Sequence, residues 1–473
     1  MFTRMDEVDT DEKRATRRKT RRARLDSSSS RDYNEAMHRR SFLLRSFPAA
    51  VGLLADPQIL RPAAANRRPE LRITRILVQN ARGRRLTPVA PNAYAPYRGF
   101  DVAEPVLRIQ TAHGLEGFCH RHGTPEQLRR LLGLDPFALF DWEGDRVRGP
   151  AEAHRQLLAD LAGADIALFD LLGRALRRPV ADVLSRRVRP GVPAYDSCLY
   201  MEDLLKPAER ESLAYLKGAV PSDPAELVAC KAEWVLAQPW GVRTLKLKMG
   251  RAKWMRSFDE ALARDIAVFN AVRRAVGKDV TLFVDGNDGY KPRPLAAVDF
   301  ARAVDSPKPY ALEEMFPDAL LAETHEEKRL LRTAGLKTKL ADGEDNLGGI
   351  RQKSRVERFT GPEGYEPLFD IDQGDMNQAG YLRLREVAED AAARGMTMAP
   401  HNFGSMMGFY AMVHLGLVTK NWEFCESDDT RIPALDATGF TVRNGMVKLT
   451  GDPGVGWRLR EEHLGKPSLV LEG

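Results

Sequence analysis

Ionisable side chains recur at the ends of successive short apolar segments in the second half of the chain, and their spacing limits the possible folds. In chain order they are Lys248, Asp285, Glu313, Glu344, Asp375, His401 and Glu426, about 25 to 37 positions apart. A (β/α) barrel uses roughly 31 residues for each strand and its helix. The alternation of apolar segments with amphipathic ones therefore predicts a parallel α/β barrel, in which these side chains end the strands at the face where barrel enzymes carry out their chemistry.

Eight segments are candidates for the barrel strands. They are VPAYDS, TLKLKM, VTLFVDGN, YALEEM, KTKLADGE, FDIDQGD, GMTMAPHN and WEFCES. Barrel strands are covered on both faces, so a polar residue in one of them needs a reason. Capping or a salt bridge explains any single one of these residues, but a functional site explains the whole ordered set better.

Three carboxylates, Asp285, Glu313 and Glu344, end successive strands and should converge at the barrel mouth. Carboxylates held together repel one another unless a cation lies among them. Ligation by oxygen alone favours a hard divalent ion, so the sequence predicts a Mg²⁺ site. Asn287, two positions after Asp285, is expected to orient a ligand or to touch the substrate.

Basic groups are expected on both sides of this cluster. In TLKLKMG, the alternation places Lys246 and Lys248 on one face of a strand, next to the carboxylates. Nearby positive charge and burial lower a lysine pKa, so we expect a lysine that acts as a general base. On the other side, Asp375 is expected to orient His401 as an acid/base pair. This arrangement suits removal of a proton α to a carboxylate.

The chain has four expected parts. Residues 1–69 contain the basic run DEKRATRRKTRRARLD without interleaved aromatic residues, which favours a disordered tail over a nucleic-acid-binding patch. Residues 70–188 are expected to form an α+β domain with a lid loop over 81–101, and residues 189–430 the barrel. Residues 431–473 are expected to return to the first domain.

Residues 38–55 indicate export. Arg39 and Arg40 precede a short apolar stretch, as in a bacterial twin-arginine signal, and Met37 is then a better start than Met1. A cytoplasmic protein with a basic tail is the alternative. No apolar run is long enough to predict a membrane span, and the four cysteines show no zinc or disulfide spacing.

The chain resembles the enolase superfamily and, within it, the mandelate racemase-like group of the mandelate racemase/muconate lactonizing enzyme family. The resemblance covers about residues 70–465, and its motifs are ADIALFDLLGRALRRPV, KLKMG, VDGN, LEEM, ADGE, DIDQGD, APHNFGS and GDPGVGW. It implies a modified (β/α)₇β TIM-type barrel with an N-terminal α+β capping domain. It also implies a homo-oligomer that acts on a small-molecule carboxylate, without nucleic acid.

The resemblance also implies roles for particular residues. Asp285, Glu313 and Glu344 correspond to Mg²⁺ ligands, Lys248 (with Lys246 beside it) to one base, and His401 with Asp375 to the other. Glu426 corresponds to the residue that hydrogen-bonds the enediolate, although Glu423 lies nearby. Tyr97 and Arg98 match the family's specificity loop in position only.

Two departures from the family pattern affect these assignments. LEEM lacks the usual proline, so the metal ligand is Glu313, which we favour, or Glu314. No lysine ends the DIDQGD strand, which argues against the subgroup with a second lysine there.

Three functions remain open. The first is dehydration of a sugar acid, and the second is racemisation or epimerisation of an α-hydroxy acid or a related carboxylate. The third is an exported carboxylate-binding protein without activity. The sequence does not separate the first two reactions, because the same residues serve both. Family-level analogy favours the dehydratase, because acid-sugar dehydratases are common among members with a His–Asp pair.

Overall fold

The computed structural model describes residues 71–211, 213, 215–216, 220–344, 358–361 and 364–473. The basic run and the twin-arginine motif expected within residues 1–69 lie outside the described residues.

The described strands and helices are numbered in chain order. The strands are β1 (Ile73–Val89), β2 (Gly99–Thr111), β3 (Glu116–His120), β4 (Phe140–Glu143), β5 (Arg146–Pro150), β6 (Val192–Leu199), β7 (Thr244–Lys248), β8 (Thr281–Asp285), β9 (Ala311–Glu313), β10 (Lys339–Asp342), β11 (Arg358–Gly361), β12 (Gly364–Pro367), β13 (Ile371–Asp372), β14 (Thr397–Met398), β15 (Cys425–Ser427), β16 (Thr430–Arg431), β17 (Leu435–Asp436), β18 (Phe440–Arg443), β19 (Met446–Leu449), β20 (Arg458–Leu459) and β21 (Leu469–Glu472). The α-helices are α1 (Pro125–Arg129), α2 (Arg155–Asp160), α3 (Asp165–Ala175), α4 (Val180–Leu184), α5 (Pro207–Arg210), α6 (Ala225–Leu236), α7 (Phe258–Val276), α8 (Ala296–Ala303), α9 (Leu321–Thr333), α10 (Met376–Ala393) and α11 (Met406–Val418).

The predicted parallel barrel is confirmed. Strands β6 to β10, β13 and β14 pair in chain order, and β15 pairs in parallel with β6. A parallel bridge between Met398 and Trp422 joins the last two strand regions. Each of the eight segments proposed from the sequence overlaps one of these strands.

Strand β7 shows how the sequence orients the barrel wall. Leu245, Leu247 and Met249 are fully buried in the main hydrophobic core. Lys246 alternates with them and faces the interior, where its Nζ atom lies 5.6 Å from the Tyr195 ring centroid. Tyr195 belongs to a separate buried cluster with residues from the other barrel strands, which fills the barrel below the mouth.

Helix α7, which joins β7 to β8, has clear sequence signals at both ends. The Ser257 side chain accepts a hydrogen bond from the Glu260 amide, and Gly277 follows the last turn with φ of +78°. Val268, Phe269 and Val272 are buried on one side of the helix. This apolar face covers the barrel strands and fixes where β8 begins.

Outside the barrel, five strands form an antiparallel sheet, which we call the N-terminal sheet. Its order is β16-β1-β2-β3, with β21 also paired to β1. Strand β1 continues to Val89 and β2 begins at Gly99, so the connection is residues 90–98 rather than the whole of 81–101. The C-terminal segment divides: β21 pairs with this sheet, whereas the β18–β19 hairpin pairs with barrel strand β6.

Candidate active site

The barrel register brings the first site residues to one level. Lys248 pairs with Asp285 across β7 and β8, and Asp285 pairs with Glu313 across β8 and β9. The Lys246 Nζ atom lies 2.6 Å from Glu313, 2.8 Å from Glu426 and 3.4 Å from Asp285. One buried ammonium group therefore joins three carboxylates on three strands.

The pKa of Lys248 is set by the carboxylates around it. Burial lowers the pKa of its ammonium group, but the combined attraction of the Asp285 carboxylate, 2.5 Å away, and of Glu344 and Glu313 outweighs burial, and the pKa is raised. The expectation of a lowered lysine pKa counted the positive charge of a metal ion beside Lys248, whereas the closest charge in this structure is the Asp285 carboxylate. Burial raises the pKa of Asp285, but the two lysine ammonium groups lower it overall.

Glu313 and Glu314 both contribute carboxylates near the mouth. Glu313 is buried and bonded to Lys246, and its second oxygen accepts a 2.7 Å hydrogen bond from the Gln373 side chain. Glu314 has φ of +42°, and its carboxylate lies 3.4 Å from the side-chain nitrogen Nδ2 of Asn287. Burial and then the neighbouring Glu344 carboxylate raise the pKa of Glu314 well above its usual value. A crowded acidic side chain of this kind is the arrangement that a cation relieves.

His401 and Asp375 meet as the sequence predicts. The His401 Nδ1 atom lies 2.7 Å from an Asp375 oxygen, and its Nε2 atom lies 3.4 Å from Glu344. Burial lowers the pKa of the imidazole, but Glu344 and Asp375 outweigh burial and raise it well above its ordinary value. Asp375 is also the N-cap of α10 and accepts a hydrogen bond from the Gln378 amide, which fixes the Asp375 side chain at the start of that helix.

Glu426 and Glu423 separate clearly in the structure. Glu426 contacts Lys246 and accepts a 3.1 Å hydrogen bond from the Asn402 amide. Glu423 instead accepts hydrogen bonds from Lys339, Tyr310 and Thr397 near the starts of their strands. Glu426 is therefore the glutamate of this pair that lies with the other site residues.

The connection between β1 and β2 reaches the site through Asn92. Its side chain donates a 3.3 Å hydrogen bond to Asn287, and its own oxygen accepts from the amides of Tyr94 and Ala95. Asn287 has φ of +40° and its amide bonds to Asp285, so it links this connection to the carboxylate cluster.

Tyr97 and Arg98 lie at the edge of the site. Tyr97 packs on a buried cluster with Val89 and Tyr200. Arg98 is exposed, and its guanidinium lies 5.8 Å from the ring centroid of Phe403, two positions after His401.

Three site residues were missed from the sequence. Gln373 bonds Glu313, Asn402 bonds Glu426, and the Tyr200 ring lies 5.9 Å from Lys248 Nζ. Gln373 and Asn402 fall inside motifs already singled out, so a polar residue beside each expected ligand was the available signal. Tyr200 follows a strand without an ionisable end, and no sequence feature indicated it.

The donor chemistry at the mouth fits a hard divalent cation. Asp285, Glu313 and Glu344 supply oxygen atoms from three neighbouring strands, and the Gln373 Oε1 atom is buried without a partner beside Glu313. Within the described ranges, no group of three or more histidine, cysteine, aspartate or glutamate side chains is close enough together to hold a metal ion as it stands. In this structure Lys246 and Lys248 neutralise Asp285 and Glu313 instead.

Comparison with known proteins places this fold and site in a family. Residues 229–463 match the family model "Enolase C-terminal domain-like". A galacturonate dehydratase from a Geobacillus species, solved with D-galacturonate and 5-keto-4-deoxy-D-galacturonate, is 27% identical with a TM-score of 0.66. The match covers 83% of this chain and 95% of that chain. The chain belongs to the enolase superfamily.

Two further relatives show which members of the superfamily this chain is similar to. A mandelate racemase/muconate lactonizing protein from Geobacillus, solved with magnesium and tartrate, is 26% identical with a TM-score of 0.65, and the match covers 83% of this chain and 94% of that one. A D-galactonate dehydratase family member from Pseudarthrobacter chlorophenolicus is 26% identical over 351 residues, which are 70% of this chain and 81% of that protein. The particular relatives are thus sugar-acid dehydratases and a mandelate racemase-like protein.

Proposed function

We propose that the protein is a Mg²⁺-dependent dehydratase of a sugar acid. The observation that carries the proposal is the placement of two proton-transfer groups beside one carboxylate cluster. Lys248 contacts Asp285, and the His401–Asp375 dyad contacts Glu344. The likeness to a galacturonate dehydratase and to a D-galactonate dehydratase family member supports the substrate class.

Asp285, Glu313 and Glu344 would hold the metal ion. A Mg²⁺ ion held there would supply positive charge that stabilises the negative charge formed on the substrate as its α-proton leaves. Glu314 is the alternative to Glu313, and paired Glu313→Gln and Glu314→Gln variants decide between them by calorimetric titration with Mg²⁺. Loss of affinity in the Glu314 variant alone would overturn our choice of Glu313.

The side chains of this chain then divide the proton transfers. Lys248, after its own proton has passed to solvent, takes the α-proton of the bound acid at its neutral Nζ atom. The His401 Nε2 atom, free of the Asp375 hydrogen bond, gives a proton to the departing β-hydroxyl group. The products are water and an enol that becomes a 2-keto-3-deoxy acid. Glu426, held between Lys246 and Asn402, is positioned to hydrogen-bond the enediolate oxygen.

Proton NMR in D₂O with Mg²⁺ and a panel of sugar acids and α-hydroxy acids tests the reaction. New methylene signals indicate dehydration, whereas loss of the α-proton signal with an intact carbon skeleton indicates racemisation or epimerisation. A panel that binds without any change would support the carboxylate-binding alternative. Full turnover after EDTA treatment would refute the Mg²⁺ assignment.

Two variants separate the roles of the bases. Lys248→Ala should lose both α-proton exchange and dehydration by about 10²-fold or more, because it lacks the first base. His401→Asn should retain exchange and lose dehydration. Lys278→Ala, at an exposed lysine, is the matched control. Unchanged turnover in Lys248→Ala would refute the mechanism.

We also propose that a twin-arginine signal exports the protein. The support is the Arg39–Arg40 pair before its apolar stretch. No helix in the described residues is long and apolar enough to cross a membrane. A reporter fused after residue 69 should reach the periplasm, and Arg39→Lys/Arg40→Lys should stop it. Export of the variant would contradict the proposal.

A homo-oligomer is proposed on the family resemblance. Light scattering of the purified chain measures its mass against the 52.9 kDa expected for one copy. A mass of one copy at working concentration would refute this proposal.

A further inference from the structure

A carboxylate of the N-terminal sheet caps the helix that follows the histidine loop. Glu104 lies on β2, is completely buried, and accepts hydrogen bonds from the Ser405 hydroxyl at 2.5 Å and from the amides of Met406 at 3.1 Å and Met407 at 3.2 Å. These are the first groups of helix α11. Since helix N-terminal amides attract negative charge, Glu104 fixes the start of α11.

A second residue of the same sheet holds the other side of the loop. Arg85 on β1 pairs with Asp428 at 2.9 Å, and both side chains are buried. The same Asp428 oxygen accepts a 2.6 Å hydrogen bond from the Gly404 amide. The Arg85 guanidinium also lies 4.7 Å from the Phe403 ring centroid. The loop between His401 and α11 is thus held from two strands of the N-terminal sheet.

Residues of this loop also contact the groups that surround His401, the proposed acid. The Asn402 side chain donates to the Ser405 carbonyl at 2.9 Å, and the Asn402 amide donates to Glu426. The His401 amide donates to the Gln373 carbonyl at 3.2 Å. A change at Ser405 is therefore expected to reach Asn402, the residue next to His401, through one buried side chain.

We infer that Glu104 and Arg85 are positioning residues of the active site: the N-terminal sheet holds loop 401–405, and so sets where His401 faces Glu344. The inference rests on the proposed function, in which His401 acts after Lys248. Loss of Glu104 should then impair the proton transfer by His401 and spare the proton transfer by Lys248. Lys248 lies on β7, and no described hydrogen bond or ion pair joins it to loop 401–405.

The test compares Glu104→Gln with Asp170→Asn in the full chain. Asp170 is an equally buried carboxylate that accepts hydrogen bonds from the Phe118 and Val455 amides and the Trp457 indole, away from the loop. In D₂O, the ratio of α-proton exchange to dehydration should rise at least tenfold in Glu104→Gln, with KM retained. The ratio should stay unchanged in Asp170→Asn, and Arg85→Lys should recover more dehydration than Arg85→Ala.

Amide hydrogen exchange measured by mass spectrometry gives a readout that does not depend on turnover. Exchange over residues 401–408 should become faster in Glu104→Gln and stay at the wild-type rate in Asp170→Asn. Wild-type exchange in this segment, or an equal loss of both reaction steps, would overturn the inference. If the wild type converts no acid in the panel, the proposed function fails, and the exchange data still decide whether Glu104 holds the loop.

Discussion

Lowering the pH is expected to destabilise the fold through His414, a fully buried histidine of α11. Its Nδ1 atom accepts a 3.0 Å hydrogen bond from the Ala181 amide, and its Nε2 atom donates to the Val455 carbonyl at 3.0 Å. A second proton would have to enter at Nδ1, opposite a group that already donates. Burial lowers the pKa of His414 to about 4, the Val455 carbonyl opposes the effect, and Arg187 adds to it.

The magnitude follows from the two protonation equilibria. In the unfolded chain the pKa is near 6.5, and in the folded chain it is about 4. The unfolded state therefore binds the proton first, so the stability present above pH 6.5 is lost as the pH falls towards 4. At about 1.36 kcal/mol for each pKa unit, the loss in unfolding free energy approaches about 3 kcal/mol.

Urea unfolding between pH 7.5 and 4 measures this loss. His414→Gln cannot titrate, so its unfolding free energy should fall less steeply with pH than that of the wild type. His113→Gln, at an exposed histidine, is the matched control and should follow the wild type. Parallel pH dependences for the wild type and His414→Gln would refute the reasoning.

Two further predictions compare residues that the sequence leaves equivalent. Glu426→Gln should lower kcat by about 10²-fold, because a carboxamide is a weaker hydrogen-bond donor to the enediolate oxygen than a carboxyl group, whereas Glu423→Gln should cost about 1–3 kcal/mol of stability and leave kcat intact. Steady-state kinetics and urea unfolding check both, and the reverse pattern would contradict the assignment. Gly380→Ala should destabilise by more than the about 1–2 kcal/mol of strain expected for Gly395→Ala. Both glycines have positive φ, but the new Cβ at 380 would lie 2.0 Å from Asp165, and at 395 it meets no atom within 4 Å. Equal losses in denaturant unfolding would contradict this difference.

The sequence was sufficient for the barrel and for much of the site. Lys246 and Lys248 share a face because strand side chains alternate, whatever lies around them. The carboxylates converge because parallel strands end at one rim. His401 and Asp375 meet for the same reason. These inferences depend on local period and on the order of strands, both of which can be read along a chain.

The length of the connection between β1 and β2 could not be read in this way. The sequence after Asn80 is rich in proline, glycine and tyrosine, which indicated a loop over 81–101. The structure continues β1 to Val89 because this stretch pairs with β2 and with β16, which is far away in the chain. Distant pairing decided the strand against its local composition.

By itself the sequence determined the barrel, the faces of its strands and the set of ionisable groups at its mouth. The tertiary structure alone decided which groups act on one another. Glu423 and Glu426 are three positions apart, about 10 Å along a strand, and lie in different networks. Lys248 has a raised pKa because Asp285, not another cation, is its closest neighbour. Glu104 reaches Ser405 across 301 positions of chain. Such contacts depend on distances through space, which decide electrostatics and hydrogen bonding and which no local pattern records.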